Sequence, residues 1–254
     1  MSRNHPKGLY PLFFTEMWER LGFYLMVGIL VLYAKDNERG GLALSVKMAT
    51  EIMGTYLAFV YFTPFLGGMI ADRYLGFRRS VLIGGLLMAA GYFSLGVRSF
   101  PTFYAGLVLI CLGNGLFKPN ISAMVGNIYQ PGDPRRDIGF NIFYMGINIG
   151  AAVSALFSAP IRNTWNFNMA FMVAGVGLLI GTGILLLNWR GLEVADRKSV
   201  RKAGDIGLGR VLAVIIAPAI GVGMLGYFLV AGVDAFGYGG IEALKKIPGP
   251  TPFA

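Results

Sequence analysis

Three ionisable residues share one turn of the first apolar block: Glu16, Glu19 and Arg20. Spacings of three and four put Glu16 and Arg20 on one helix face with Glu19 beside them. The face continues to Phe23 and Tyr24. One more cation lies inside apolar sequence, Lys118, in Gly113-Asn114-Gly115-Leu116-Phe117-Lys118-Pro119-Asn120. A charge near mid-bilayer costs about 2.5–3.5 kcal/mol on insertion scales, so these groups must find partners. Glu16 and Glu19 are the acids well inside the first six apolar blocks, while Glu51 and Asp72 fall at block ends. A Glu–Lys pair between the first and fourth blocks is therefore the simplest expectation. Burial disfavours a charged carboxylate and a neighbouring cation favours it. Protonating one glutamate would free a cation for a substrate carboxylate, which is chemistry for proton-coupled transport or for a channel gate. The bland alternative is a cluster that snorkels from the membrane edge. Counted from Pro11 at a rise of roughly 1.5 Å per residue, Glu16 lies about 8 Å and Arg20 about 14 Å along the block. Arg20 is then near the middle of a core about 30 Å thick.

The elements that hold these residues follow from composition. Hydrophobic residues make up 55% of the 254 and charged residues 14%, against about a quarter charged in soluble domains. Apolar blocks cover residues 11–34, 49–71, 80–97, 102–125, 138–157, 167–187 and 211–233. Backbone groups in hydrocarbon must be paired within the segment, so blocks of this length predict helices. The expected organisation is a six-helix transmembrane bundle over 1–190, a basic cytoplasmic linker over 191–210, and a seventh hydrophobic helix with a tail over 211–254. Lys and Arg concentrate on the N-terminal side of the membrane: Arg3, Lys7, Arg73, Arg78, Arg79, Arg135, Arg136 and the cations of 190–210. That bias predicts a cytoplasmic N-terminus. Small residues, among them Gly84, Gly85, Gly91, Gly146, Gly150, Gly175, Gly177, Gly181 and Gly183, mark expected close helix contacts.

Other functions fare poorly. The net charge of +9 sits mostly between apolar blocks, so the bilayer, and not nucleic acid, is the expected partner. Cys111 is the sole cysteine and His5 the sole histidine, which gives no metal cluster and no intrachain disulfide. The glycines before Lys118 lack the Gly-Lys-Ser/Thr ending and the preceding strand of a phosphate loop. With no nucleophile–base pair either, the chain is not expected to be an enzyme, and no cofactor is expected beyond protons as the coupling ion. Gly68-x-x-x-Asp72-Arg73-x-x-Gly76-x-Arg78-Arg79 links the second and third blocks. Asp72 and Arg73 there are candidates for gating, because charges at helix ends can hold one conformation of a bundle.

That run resembles, with one extra residue, the loop between helices two and three of the major facilitator superfamily. Glu16-x-x-Glu19-Arg20, Gly113-x-Gly115-x-x-Lys118-Pro119-Asn120, Phe143-Tyr144-Met145-Gly146-Ile147-Asn148-Ile149-Gly150 and the lead-in His5-Pro6-Lys7-Gly8 resemble the proton-dependent oligopeptide transporter family. The resemblance covers roughly residues 5–190. It implies a fold of two six-helix bundles, a proton gradient driving peptide uptake, and alternating access. It implies Glu16, Glu19, Arg20 and Lys118 as proton-coupling residues. Arg20, Tyr24, Tyr61, Lys118 and Asn148 would bind a small peptide. Phe23 stands where the family often has the first of two tyrosines. Val27 stands where many members carry a second arginine, linked in the family to the substrate's C-terminal carboxylate.

The expectation is an all-α membrane protein: the N-terminal bundle of a major-facilitator fold plus one helix, cut from a longer chain whose C-terminal bundle is a missing partner. Its expected place is the plasma (inner) membrane. The seventh block carries no charge between Val211 and Val233, which favours a helix of an inserted hairpin over the seventh core helix. The alternative function is a half-size protein that dimerises into a channel or a non-transporting sensor.

Overall fold

The computed structural model describes residues 4–38, 40–164, 166–196 and residue 209. The chain divides into two compact units, Met1–Asp205 and Ile206–Ala254. The seventh block, its tail and most of the basic linker lie outside the described residues. The first unit contains six long helices: α1 (Leu9–Lys35), α2 (Val46–Ile70), α3 (Phe77–Leu95), α4 (Phe100–Asn127), α5 (Arg135–Thr164) and α6 (Phe167–Leu187). A π-helical turn, Ala71–Leu75, extends α2, and a 3-10 turn, Glu193–Ala195, follows α6. No strand occurs among the described residues.

Local chemistry sets the helix ends. Ser45, Ser99 and Asn166 accept bonds from the backbone N–H groups of Met48, Thr102 and Met169, as N-caps do. Gly76 ends the π turn at φ 76° and starts α3, a conformation that favours glycine. Five of the helices are long and apolar enough to cross a membrane. The exception is α3, expected to span over 80–97. It has 19 residues, two arginines in its first turn, and Gly84, Gly85, Ala89 and Gly91 along its buried face. The two arginines lower its mean hydropathy, and the small residues let it lie against both α4 and α6.

Packing is densest where glycines face backbone. A Cβ on Gly84 would lie 2.6 Å from the Gly113 carbonyl oxygen, and one on Gly91 2.8 Å from that of Gly106, which joins α3 to α4. Gly67 on α2 meets Gly115 on α4 so closely that a Cβ would overlap the Gly115 carbonyl. On α5, Gly146 packs on Phe13 and Gly150 on the Met17 carbonyl and Arg20 Cβ of α1. Gly177 and Gly181 of α6 take Trp18, and Thr15 Oγ1 donates to the Gly181 carbonyl at 3.1 Å. Gly183, expected at a contact, meets nothing within 4 Å. The helices thus group as α2–α4–α3 and α5–α1–α6, joined through α3 and α6 and through lighter contacts of α1 with α2 and α4.

The turn after α6 belongs to this bundle. Leu192 and Ala195 are fully buried. Asp196 accepts the backbone N–H groups of Phe77 (2.8 Å) and Arg78 (3.1 Å) and pairs with Arg78 Nε at 2.8 Å. Arg78 also donates to the Trp189 carbonyl and lies 4.9 Å from the Trp189 ring centroid. A carboxylate at a helix N-terminus is stabilising. Asp196 therefore caps α3, and the boundary expected at 190/191 falls inside packed structure. The same end gathers His5 Nδ1 within 2.9 Å of the Tyr129 hydroxyl. It also gathers the fork by which Arg135 holds the Asp133 carboxyl down at about 2.

Candidate functional site

Arg20 binds both glutamates from within α1. Its Nη2 donates to Glu19 Oε1 at 2.6 Å and its Nε to Glu19 Oε2. Nε also lies 3.3 Å from Glu16 Oε1. Glu16, Glu19 and Arg20 are 2%, 0% and 3% exposed, so this is a buried cluster and not a snorkelling one. Glu16 Oε2 is buried without a hydrogen-bond partner. The guanidinium carbon sits 4.8 Å from the Phe23 ring centroid. The Phe23 ring is thus a cation–π platform for Arg20.

Asn114 links the cluster to α2 and α4, and the sequence reading assigned it nothing. Pro64 has no N–H, so the Val60 carbonyl four residues earlier loses its helical donor. Asn114 Nδ2 supplies one at 2.9 Å. Its Oδ1 lies 3.5 Å from Arg20 Nη2. The signal was an amide inside an apolar block together with a proline inside another, a pairing that only the fold reveals. Pro119 likewise frees the Gly115 carbonyl, the group against which Gly67 packs.

The expected Glu–Lys pair is not formed. Lys118 is half-buried, with its Nζ 5.6 Å from the Tyr61 ring centroid. Arg20 instead pairs with both carboxylates locally, one and four residues away, and leaves Glu16 Oε2 unpartnered. Tyr61 is 71% exposed and Tyr24 40% exposed, its ring edge-on to Phe23. Asn148, between the two glycines that seat α5 on α1, is exposed. Asp72 and Arg73 are exposed in the π turn, remote in sequence from the charge cluster and next to the α3 cap. The described residues therefore present a buried charge centre (Glu16, Glu19, Arg20, Asn114) and accessible groups (Tyr24, Tyr61, Lys118, Asn148).

The POT family model matches residues 78–198. The chain is 39% identical over 229 residues to Uncharacterized transporter YclF of Bacillus subtilis (strain 168), covering 86% of this chain and 46% of that protein. It is 40% identical over 208 residues to Peptide transporter YePEPT of Yersinia enterocolitica subsp. palearctica serotype O:3 (strain YE-P4), covering 80% and 40%. Among solved structures, the crystal structure of peptide transporter POT in complex with sulfate superposes with a TM-score of 0.81 at 36% identity. That match covers 96% of this chain and 49% of the other. The chain spans about half the length of the relatives it matches. The chain thus resembles the POT family over residues 78–198 and these transporters over most of its own length.

Proposed function

We propose that the chain forms the proton-coupling half of a symporter that moves small peptides across the inner membrane by alternating access, with its N-terminus in the cytoplasm. The observation that carries this reading is the buried cluster of two carboxylates on one guanidinium. With both glutamates ionised, the cluster holds one negative charge in excess of Arg20. That excess is tolerable only beside Lys118 or after uptake of one proton, because an unbalanced buried charge is costly. A proton on Glu16 or Glu19 loosens the hold on Arg20. The guanidinium and Lys118 can then meet a peptide carboxylate, with Tyr24, Tyr61 and Asn148 offering hydrogen bonds. Release of the peptide returns Arg20 to the glutamates and expels the proton on the other side. Asp72 and Arg73, beside the capped start of α3, would hold one conformation of the bundle. Because Val27 supplies no second arginine, Lys118 is the principal accessible cation for the carboxylate.

The test is uptake of a labelled dipeptide by the full-length protein in proteoliposomes under an imposed proton gradient. Glu19→Gln and Lys118→Ala should each lose gradient-driven uptake, by about 100-fold or more if the removed group acts as a unit with the others. Unchanged gradient-driven uptake in Lys118→Ala would overturn its role.

A further inference from the structure

Tyr61 and Lys118 meet because α2 and α4 are docked backbone to backbone beside them. Thr63 Oγ1 donates to the Cys111 carbonyl at 2.8 Å, and Asn114 Nδ2 to the Val60 carbonyl at 2.9 Å. Gly67 is closed on Gly115, and a Cβ on Gly68 would stand 3.9 Å from Pro119 Cβ. These contacts fix the register of the two helices. Tyr61 directly follows Val60, and Lys118 directly precedes Pro119. Helical side chains lean toward the N-terminus of their helix, so Lys118 reaches back one turn toward the level of Tyr61. Its Nζ lies 5.6 Å from the Tyr61 ring centroid, within cation–π range.

Both cations of the site thus rest on an aromatic ring, in different company. Arg20 has Phe23 and both glutamates. Lys118 forms no ion pair among the described residues, although Glu16 Oε2 is buried without a partner. Lys118 stands one turn beyond Asn114 on the same face of α4, and Asn114 Oδ1 lies 3.5 Å from Arg20 Nη2. The charge cluster is therefore within the length of a lysine stem, and a mobile ammonium is drawn to an open carboxylate oxygen unless something holds it. We propose that Tyr61 is the positioning residue that holds the Lys118 ammonium at the accessible face, apart from Glu16 and Glu19, and so keeps it free for the terminal carboxylate of a peptide. A ring face attracts the cation without neutralising it and without taking up its N–H donors, whereas a glutamate does both. Tyr61 is 71% exposed, so the ring lies on the open side of the helix pair and contributes little to packing. Its consequence is specificity: ligands that end in a free carboxylate are favoured over ligands with a neutral end.

The inference rests on the carboxylate role proposed for Lys118. Its test sets Ala-Ala against the C-terminal amide of Ala-Ala, each competing with a labelled dipeptide for the full-length protein in detergent. The unmodified protein should prefer the free carboxylate, and Lys118→Ala should abolish that preference. Tyr61→Leu removes the ring and keeps the lysine. It should reduce the preference about tenfold, the scale of a cation–π contact partly shielded from water. Tyr61→Phe removes only the hydroxyl, which affects both ligands alike, and should keep the preference. A purely structural role for Tyr61 would weaken both ligands equally in Tyr61→Leu, and an unchanged ratio in that variant overturns the proposal. So does a ratio in Tyr61→Phe as low as in Tyr61→Leu. A Lys118→Ala protein that still prefers the carboxylate defeats the role of Lys118 itself, whatever the Tyr61 variants do, and the proposal falls with it.

Discussion

Asn114 ties three helices together with one amide. Its NH₂ meets the carbonyl that Pro64 leaves open, and its oxygen faces the guanidinium that holds both glutamates. In hydrocarbon neither the Val60 carbonyl nor the guanidinium has water to replace the lost bond. Asn114→Leu should therefore lower stability by about 1–3 kcal/mol, the cost of leaving buried polar groups unpaired. Thermal unfolding of the full-length protein in detergent measures it, with Asn148→Leu, an exposed site, as the control. Equal midpoints for the two variants would remove Asn114 from the framework of the site. Glu16, Glu19 and Arg20 were legible in the sequence because charge inside an apolar block is conspicuous and a helical period fixes its face. Their partner was not. Charge counting favoured Lys118, whereas the helix itself brought Arg20 onto both carboxylates. Asn114 left no trace of that kind, since uncharged polar groups are tolerated in spans for many reasons.

Helices meet in this bundle by backbone approach, and each glycine's role depends on which way it faces. Gly67 faces the carbonyl that Pro119 frees on α4, with no room for a methyl group. Gly183 faces open space. Gly67→Ala should cost on the order of 3 kcal/mol, because overpacking at a rigid backbone contact forces two helices apart. Gly183→Ala should be neutral or should stabilise by up to about 1 kcal/mol through helix propensity. Thermal melts of the two full-length variants side by side test the pair, and similar losses for both would contradict the packing described. The six helical blocks among the described residues were readable from composition, with ends within three residues except that α5 runs seven residues past its expected end, to Thr164. The weakness of α3 as an isolated span was harder to read, since the helix begins at Phe77 and takes in Arg78 and Arg79, which the expected block left outside. The role of Asp196 was harder still, because its partner N–H groups at Phe77 and Arg78 are more than a hundred residues away.

At the scale of the whole molecule, two kinds of exposed surface must be told apart. Leu156 and Leu187 are 71% and 88% exposed, as expected of apolar side chains that meet lipid tails. Tyr24, Tyr61, Lys118 and Asn148 are also accessible, yet an amide and an ammonium facing lipid would be costly. The proposed function requires these four to face water in a transport pathway. Cysteine chemistry separates the cases, because the native Cys111 is buried beneath the Tyr56 carbonyl and gives little background. In membranes containing the full-length protein, Asn148→Cys and Tyr24→Cys should react with a charged, membrane-impermeant maleimide, and a bound peptide should slow both. Leu156→Cys should react at least tenfold more slowly, since a thiol in hydrocarbon neither ionises nor meets a charged reagent. If Asn148→Cys labels no faster than Leu156→Cys from either side of the membrane, α5 turns that face to lipid. Asn148 then leaves the binding site, and the pathway must be drawn along α1, α2 and α4 alone.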